Sequence, residues 1–250
     1  MNSESMNILI LGAGSEIGAA LAMYAKKCAD HRLLLASRSR ADLRLPAESA
    51  RVHHVRSIDL TNESDLLRLR AEVREFFDGP FSLVHSVGDF WCHKPLIQTA
   101  FSEMRSMCES HYLTLCGAAY ALLPVMIERS GGRIVAFSCN SIGYNYPDMA
   151  PFTSAKAAVE TLIKCVAHEY AEHGISATAL ALPTIRTAKV LVEKPQGDHE
   201  NYISVEDLAR IVFDVLKLPP TVNGNVVKVY KHSKTFYHSS YFDRNPRRLV

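Results

Sequence analysis

A chain of 250 residues and 27.8 kDa, 48% apolar and 22% charged, has enough apolar content for one large core, which argues against a fibre or a disordered chain. Its net charge of +2 comes from 28 basic residues interspersed among 26 acids, so no nucleic-acid or membrane partner is indicated and a small molecule is the expected one. Six cysteines form no CxxC pair, and neither a basic-then-apolar leader nor an uninterrupted apolar run of about 18 residues is visible, so we expect reduced thiols and a cytoplasmic location.

Short apolar runs alternate with longer helical stretches, the pattern of a parallel sheet covered on both faces. The first strand, Asn7–Leu11, runs through Gly12-Ala13-Gly14-Ser15-Glu16-Ile17-Gly18 into a helix over Ile17–Cys28. Glycines in a strand-to-helix turn let the backbone approach a pyrophosphate, and the helix N-terminus favours its charge. Glu16 adds a carboxylate beside that site. A second strand, Arg32–Ala36, leads into Ser37-Arg38-Ser39-Arg40 about twenty residues after the turn, where an NAD-binding chain places an acid on the ribose diol. No acid is there. Arg38 beside Ser37 instead offers charge-assisted bonds to a 2′-phosphate, which favours NADP(H) over NAD(H).

A third strand over Val52–Val55 precedes Ile58-Asp59-Leu60-Thr61, and Thr61 or Asn62 can cap a helix over Glu63–Phe77. A strand over Ser82–Ser86 overlaps His85-Ser86-Val87-Gly88, and a long helix follows over Ser102–Met126. Next come a strand over Arg133–Phe137, a helix over Thr153–His173 ended by Gly174, and a strand over Ser176–Leu182. Pro183–Asn201, with Pro195, Gly197 and few apolar residues, reads as a mobile loop over a site; 183–203 is the substrate loop of a single domain spanning 1–250. A helix over Val205–Leu216 and a strand over Val226–Tyr230 complete the order, and the tail 231–250 has no assignable element.

In their order these segments resemble the short-chain dehydrogenase/reductase family. Gly12 and Gly18 match its Thr-Gly-x-x-x-Gly-x-Gly turn, with Leu11 for the threonine and Glu16 for the middle glycine. Asp59-Leu60 resembles its adenine-contacting pair, Ser86-Val87-Gly88 stands in place of its Asn-Asn-Ala-Gly, and Pro183-Thr184-Ile185-Arg186-Thr187 resembles its Pro-Gly…Thr segment. The run Phe152-Thr153-Ser154-Ala155-Lys156 sits at its Tyr-x-x-x-Lys. The resemblance implies an α/β, Rossmann-like, doubly wound sheet of seven parallel strands. It also implies a cofactor site of Gly12, Gly14, Ser15, Glu16, Ile17, Gly18, Ser37, Arg38, Asp59, Leu60, Ser86, Val87, Lys156, Pro183, Ile185 and Thr187.

In that family Asn, Ser, Tyr and Lys act together: tyrosine gives the proton, and lysine lowers its pKa and holds the nicotinamide ribose. Lys156 matches. Counting back thirteen residues from Phe152 places Cys139 at the serine, and Leu123-Pro124-Val125-Met126 places His111 at the asparagine. Loss of a positioned acid costs about 10²–10⁴ in rate, which disfavours ordinary ketone reduction. Replacement donors are Tyr146 and His93, with Tyr144 and Trp91 behind them; Cys139 is a small buried hydrophobe or, as a thiolate beside Lys156, a nucleophile. His168 and His173 are five apart and share no helical face, so no metal site is expected. Three readings follow: an NADP(H)-dependent reductase with a remodelled site acting on C=N or conjugated C=C; a degenerate subunit paired with an active relative; or a non-redox lyase, cyclase or isomerase using Cys139. The resemblance implies a homodimer or homotetramer through the two long helices, and a hetero-oligomer in the second reading.

Overall fold

The structure is a computed structural model describing residues 5–28, 30–38, 45–89 and 93–230. Strand β1 (Asn7–Leu11) leads into α1 (Glu16–Cys28), followed by β2 (Arg32–Ser37), β3 (Val52–Arg56), α2 (Glu63–Phe76) and β4 (Phe81–His85). The long helix that follows has three parts: α3 (Phe101–Met107), a π-helical turn Cys108–Leu113, and α4 (Thr114–Glu128). Then come β5 (Gly132–Cys139), α5 (Ala150–Glu169), β6 (Ile175–Leu182), the short β7 (Ile185–Arg186), α6 (Ala188–Glu193), β8 (Ile203–Ser204), α7 (Val205–Leu216) and β9 (Asn225–Lys228).

Seven strands pair in parallel in the order β3-β2-β1-β4-β5-β6-β9. The fold is the doubly wound α/β sheet expected from the sequence. Period-two alternation serves both faces: Leu9 and Leu11 enter the core under α2, α4 and α5, whereas Ile8 and Ile10 enter the core under α1 and α7. The chain winds outward from β1 in one direction and from β4 in the other. A crevice therefore opens at the carboxyl ends of these two strands, the position where such sheets bind ligands.

Local chemistry sets the boundaries. Asn62 caps α2 by accepting from Asp65 N at 3.2 Å, and Ser204 caps α7 by accepting from Asp207 N at 3.0 Å. Helix α5 begins at Ala150, ahead of the expected Thr153, because Pro151 lies in its first turn and is pre-set for helix there. Phe152 thus sits inside the first turn of α5. The region 183–203 departs most from expectation: β7 and β8 pair, α6 lies between them, and Ile185, Val190 and Ile203 are buried. Those three side chains anchor the segment to the body. Phe101–Glu128 is long and apolar enough to cross a membrane by length and composition, but most of its apolar stretch is buried inside the protein, as in a core helix. The tail 231–250 and the expected site neighbours Ser39, Arg40 and Trp91 lie outside the described residues.

Candidate active site

The glycine turn lies at the crevice. Gly12 N and Ala13 N both donate to Ala36 O at 3.0 Å, which brings the end of β2 against the turn. Gly18 is required by contact: a Cβ there would lie 2.2 Å from Gly12 O. Ser15 stabilises the turn by donating from Oγ to Gly12 O at 2.8 Å and accepting from Gly18 N at 3.0 Å. Ser86 Oγ donates to Leu11 O at 2.7 Å, so the segment after β4 abuts the same turn. Gly12, Gly14, Ser15, Ile17, Gly18, Ser37, Ser86 and Val87 therefore converge on one place, and Arg38 stands exposed at its edge.

Four residues of the expected cofactor set make contacts within the protein. The exposed Asp59 carboxylate accepts from Thr61 N and Thr61 Oγ1, and the Leu60 side chain is in the core. Thr187 Oγ1 accepts from Val190 N at 3.2 Å as the cap of α6, which leaves its hydroxyl proton available. Glu16 Oε2 accepts from Ala188 N at 2.8 Å, so its carboxylate faces the segment after β6. Pro183 opens that segment directly after β6 and is half-buried.

The four positions expected to carry chemistry come together at the carboxyl end of β5. Lys156 is buried and donates from Nζ to Phe137 O at 2.7 Å, with Nζ 5.8 Å from the Phe152 ring centroid. Burial pushes its pKa down to about 8, the Cys139 thiol opposing slightly. Among the described residues no carboxylate pairs with the ammonium, and one of its three donors is used.

Cys139 is buried at the last residue of β5, and its Sγ lies in a hydrogen-bonded chain with Ser141 Oγ, which in turn meets Thr153 Oγ1 at 3.1 Å. Burial pushes the thiol pKa up, so the protonated form prevails. The Ser141–Thr153 link escaped the sequence reading, because no periodicity relates a residue after a strand to one in the next helix.

His111 occupies the π-helical turn, an irregularity often found at functional sites. Its Nε2 donates to Asp89 O at 3.0 Å, and its ring meets Phe152 edge-on at 5.2 Å. Nδ1 is buried without a hydrogen-bond partner among the described residues. The ring fills the space a side chain at residue 88 would need, since a Cβ on Gly88 would come within 2.3 Å of Nδ1. Beneath it the buried His85 Nε2 donates to Thr114 Oγ1 at 3.1 Å, the hydroxyl itself donating to Ser110 O. Burial, aided by the Lys156 charge, pushes His85 down to about 3 and His111 to about 2, so both rings are neutral.

The expected replacement donors lie less favourably. Burial, aided by Lys194, pushes His93 down to about 4, so at neutral pH its ring holds no extra proton to give. Tyr146 stacks on Tyr144 with centroids 5.4 Å apart, beside Tyr230. Ser154 is exposed. Lys156, Cys139, His111 and Phe152 thus form one cluster, and among the described residues no tyrosine or carboxylic acid is found against the Phe152 ring.

The sequence profile of the short chain dehydrogenase family matches residues 6–196. The chain belongs to this family of oxidoreductases. It is 26% identical over 224 residues to an uncharacterised oxidoreductase of Staphylococcus aureus strain N315, covering 88% of this chain and 95% of that one. A fatty acyl-CoA reductase of Acinetobacter baylyi is 25% identical over 227 residues, with 88% of this chain and 76% of the relative covered. Among solved structures, a short-chain type dehydrogenase/reductase from Mycobacterium ulcerans superposes with a TM-score of 0.82 at 19% identity, covering 92% of this chain and 90% of that one. A tyrosine-to-phenylalanine variant of ElxO with NADPH bound superposes with a TM-score of 0.79 at 21% identity, over 90% of this chain and 97% of its own.

Proposed function

We propose that this short-chain dehydrogenase is an NADP(H)-dependent oxidoreductase with a remodelled site, acting on a small molecule that needs no strong acid, such as an iminium carbon or a conjugated alkene. The observation that carries this reading is the pairing of a retained Lys156 with an acid-free Phe152. Two unused donors on Lys156 Nζ fit the hydroxyls of a nicotinamide ribose, and Arg38 at the end of β2 fits a 2′-phosphate. An ElxO variant with one tyrosine replaced by phenylalanine has NADPH bound on a similar fold, which supports a nicotinamide cofactor here.

When bound, the cofactor supplies a hydride. On this reading the glycine turn and Lys156 orient it, and Ser86, Val87 and Ile185 border it. Hydride addition to an iminium carbon gives a neutral amine with no proton required. Addition to a conjugated alkene gives an enolate that water can protonate. The Ser141 and Thr153 hydroxyls pair with each other beside Cys139, and phenylalanine and a thiol of raised pKa give no positioned acid for a ketone.

We place the protein in the cytoplasm, as a homodimer or homotetramer through the α3–α4 and α5 helices, where Leu113 and Tyr120 are exposed. The missing acid favours a second reading, a catalytically degenerate subunit paired with an active relative. Fluorescence titration with NADPH and NADH, followed by an NADPH-oxidation screen of carbonyls, imines and enones, separates the two. Tighter NADPH binding with turnover of an imine or enone supports the reductase. Binding of neither dinucleotide sinks it, and cofactor binding without turnover in any assembly of this chain alone favours the partner subunit. A non-redox activity lost in Cys139→Ala while dinucleotide binding is kept would favour a lyase, cyclase or isomerase with a structural nucleotide instead.

A further inference from the structure

Glu16 stands where the family's glycine turn has its middle glycine, and its carboxylate makes a contact that a glycine could not. Oε2 accepts from Ala188 N at 2.8 Å, the first residue of α6. The chain enters this segment from β6, three strand positions from β1 in the sheet. At about 4.8 Å per strand, the segment has crossed roughly 14 Å over the carboxyl ends of β5 and β4 to reach α1. Lys189, the next residue, lies 3.8 Å from Asp89, which follows β4. Helix α6 is therefore held on both sides of the β1–β4 crevice, and both holds come from residues that border it. Ile185 and Ile203 anchor the segment's two ends in the core, which leaves α6 as the span between them.

We propose that Glu16 is a positioning residue that fastens α6 across the nucleotide crevice, so that a bound dinucleotide leaves only after the Glu16–Ala188 bond opens. This rests on the cofactor reading above. Glutamine can still accept a hydrogen bond from the Ala188 amide, whereas alanine cannot, so the pair E16Q and E16A separates the bond from the charge. In cofactor-free protein, hydrogen–deuterium exchange of the amides from Ala188 to Glu193 is expected to be about tenfold faster in E16A and near the parent rate in E16Q, a hydrogen bond to a charged group being of that order when partly solvent-exposed. NADPH dissociation, followed by stopped-flow displacement, is expected to quicken about tenfold in E16A and within about threefold in E16Q. Equal exchange in E16A and the parent overturns the fastening. Faster exchange with unchanged NADPH dissociation overturns the retention role alone. Failure of the parent to bind NADPH overturns the cofactor reading, and the retention role with it, while the exchange experiment still decides whether the fastening exists.

Discussion

The His111 imidazole meets the Phe152 ring edge-on, with centroids 5.2 Å apart and planes at 88°. The sequence pattern aligns both residues with positions expected to carry the family's catalytic polar groups, and each supplies the other's packing surface. Such aromatic pairs contribute about 0.5–1.5 kcal/mol beyond simple burial. In a double-mutant cycle of H111N and F152L, followed by urea denaturation, we expect a coupling of about that size. Additive single-variant effects would mean that the two replacements are energetically independent.

Restoring the tyrosine tests whether the remainder of the family's apparatus is intact. Lys156 is already beside the ring, but the residue expected at the serine position is the Cys139 thiol and the one expected at the asparagine position is the neutral His111 imidazole. Groups that act as a unit recover non-additively. We expect F152Y alone to raise NADPH-dependent ketone reduction only modestly and C139S/F152Y to raise it further, towards a ceiling of about 10²–10⁴ set by a positioned acid. Equal activity of the single and double variants would show that Cys139 already serves as serine would.

The fold was legible because its signals repeat: β1, β2, β4, β5 and β6 are largely apolar runs, and most are separated by helical stretches, so errors of a few residues left the topology untouched. That Lys156, Cys139 and His111 come together at one end of the sheet was legible, because the order of strands and helices fixes which ends of the elements meet. Region 183–203 was misread as a featureless loop because Ile185, Val190 and Ile203 are buried by contacts with the body, and isolated apolar residues have no local period. The proton deficit of His93 was equally hidden, since burial and a lysine remote in sequence set it. Glu16 could be seen replacing a glycine. Its partner Ala188, 172 residues away, could not.

The thiol of Cys139 is expected to be inert. Burial removes access and raises the pKa, and the Lys156 charge opposes this only weakly. With iodoacetamide at pH 7.5, the exposed Cys28, Cys108 and Cys165 should alkylate first, and Cys139 last among the described cysteines of the folded protein by mass spectrometry. Preferential labelling of Cys139 would instead favour a nucleophilic role.

Arg133 clamps the end of the sheet. The buried guanidinium donates to Leu218 O, Pro219 O, Val222 O and Thr178 Oγ1 at 2.8–3.1 Å, so it serves the connection from α7 to β9. Removing it leaves three carbonyls without this donor. R133M should lose about 3 kcal/mol or more in urea denaturation, and R133K should recover only part, because an ammonium lacks the planar fork. A loss under about 1 kcal/mol would mean that water or neighbouring groups satisfy those carbonyls.

Lys156 should be costly to the fold at neutral pH. Its folded pKa of about 8 lies below its ordinary 10.5, so between those values the unfolded chain holds the proton and the folded protein does not. Stability attributable to this group therefore rises with pH from about 8 to about 10.5 and is at its lowest below 8, where both states are protonated and the buried cation costs about 3 kcal/mol. Methionine fills similar volume without charge, so K156M should be more stable than the parent at pH 7 by about 1–3 kcal/mol, and this advantage should shrink by pH 10. Paired urea denaturations at both pH values isolate this effect from other titrating groups. Were K156M less stable at pH 7, the bond to Phe137 O would outweigh desolvation. The same variant should bind NADPH at least tenfold more weakly, since it loses the two donors proposed for the ribose; a more stable protein with unchanged NADPH affinity would place the ribose elsewhere.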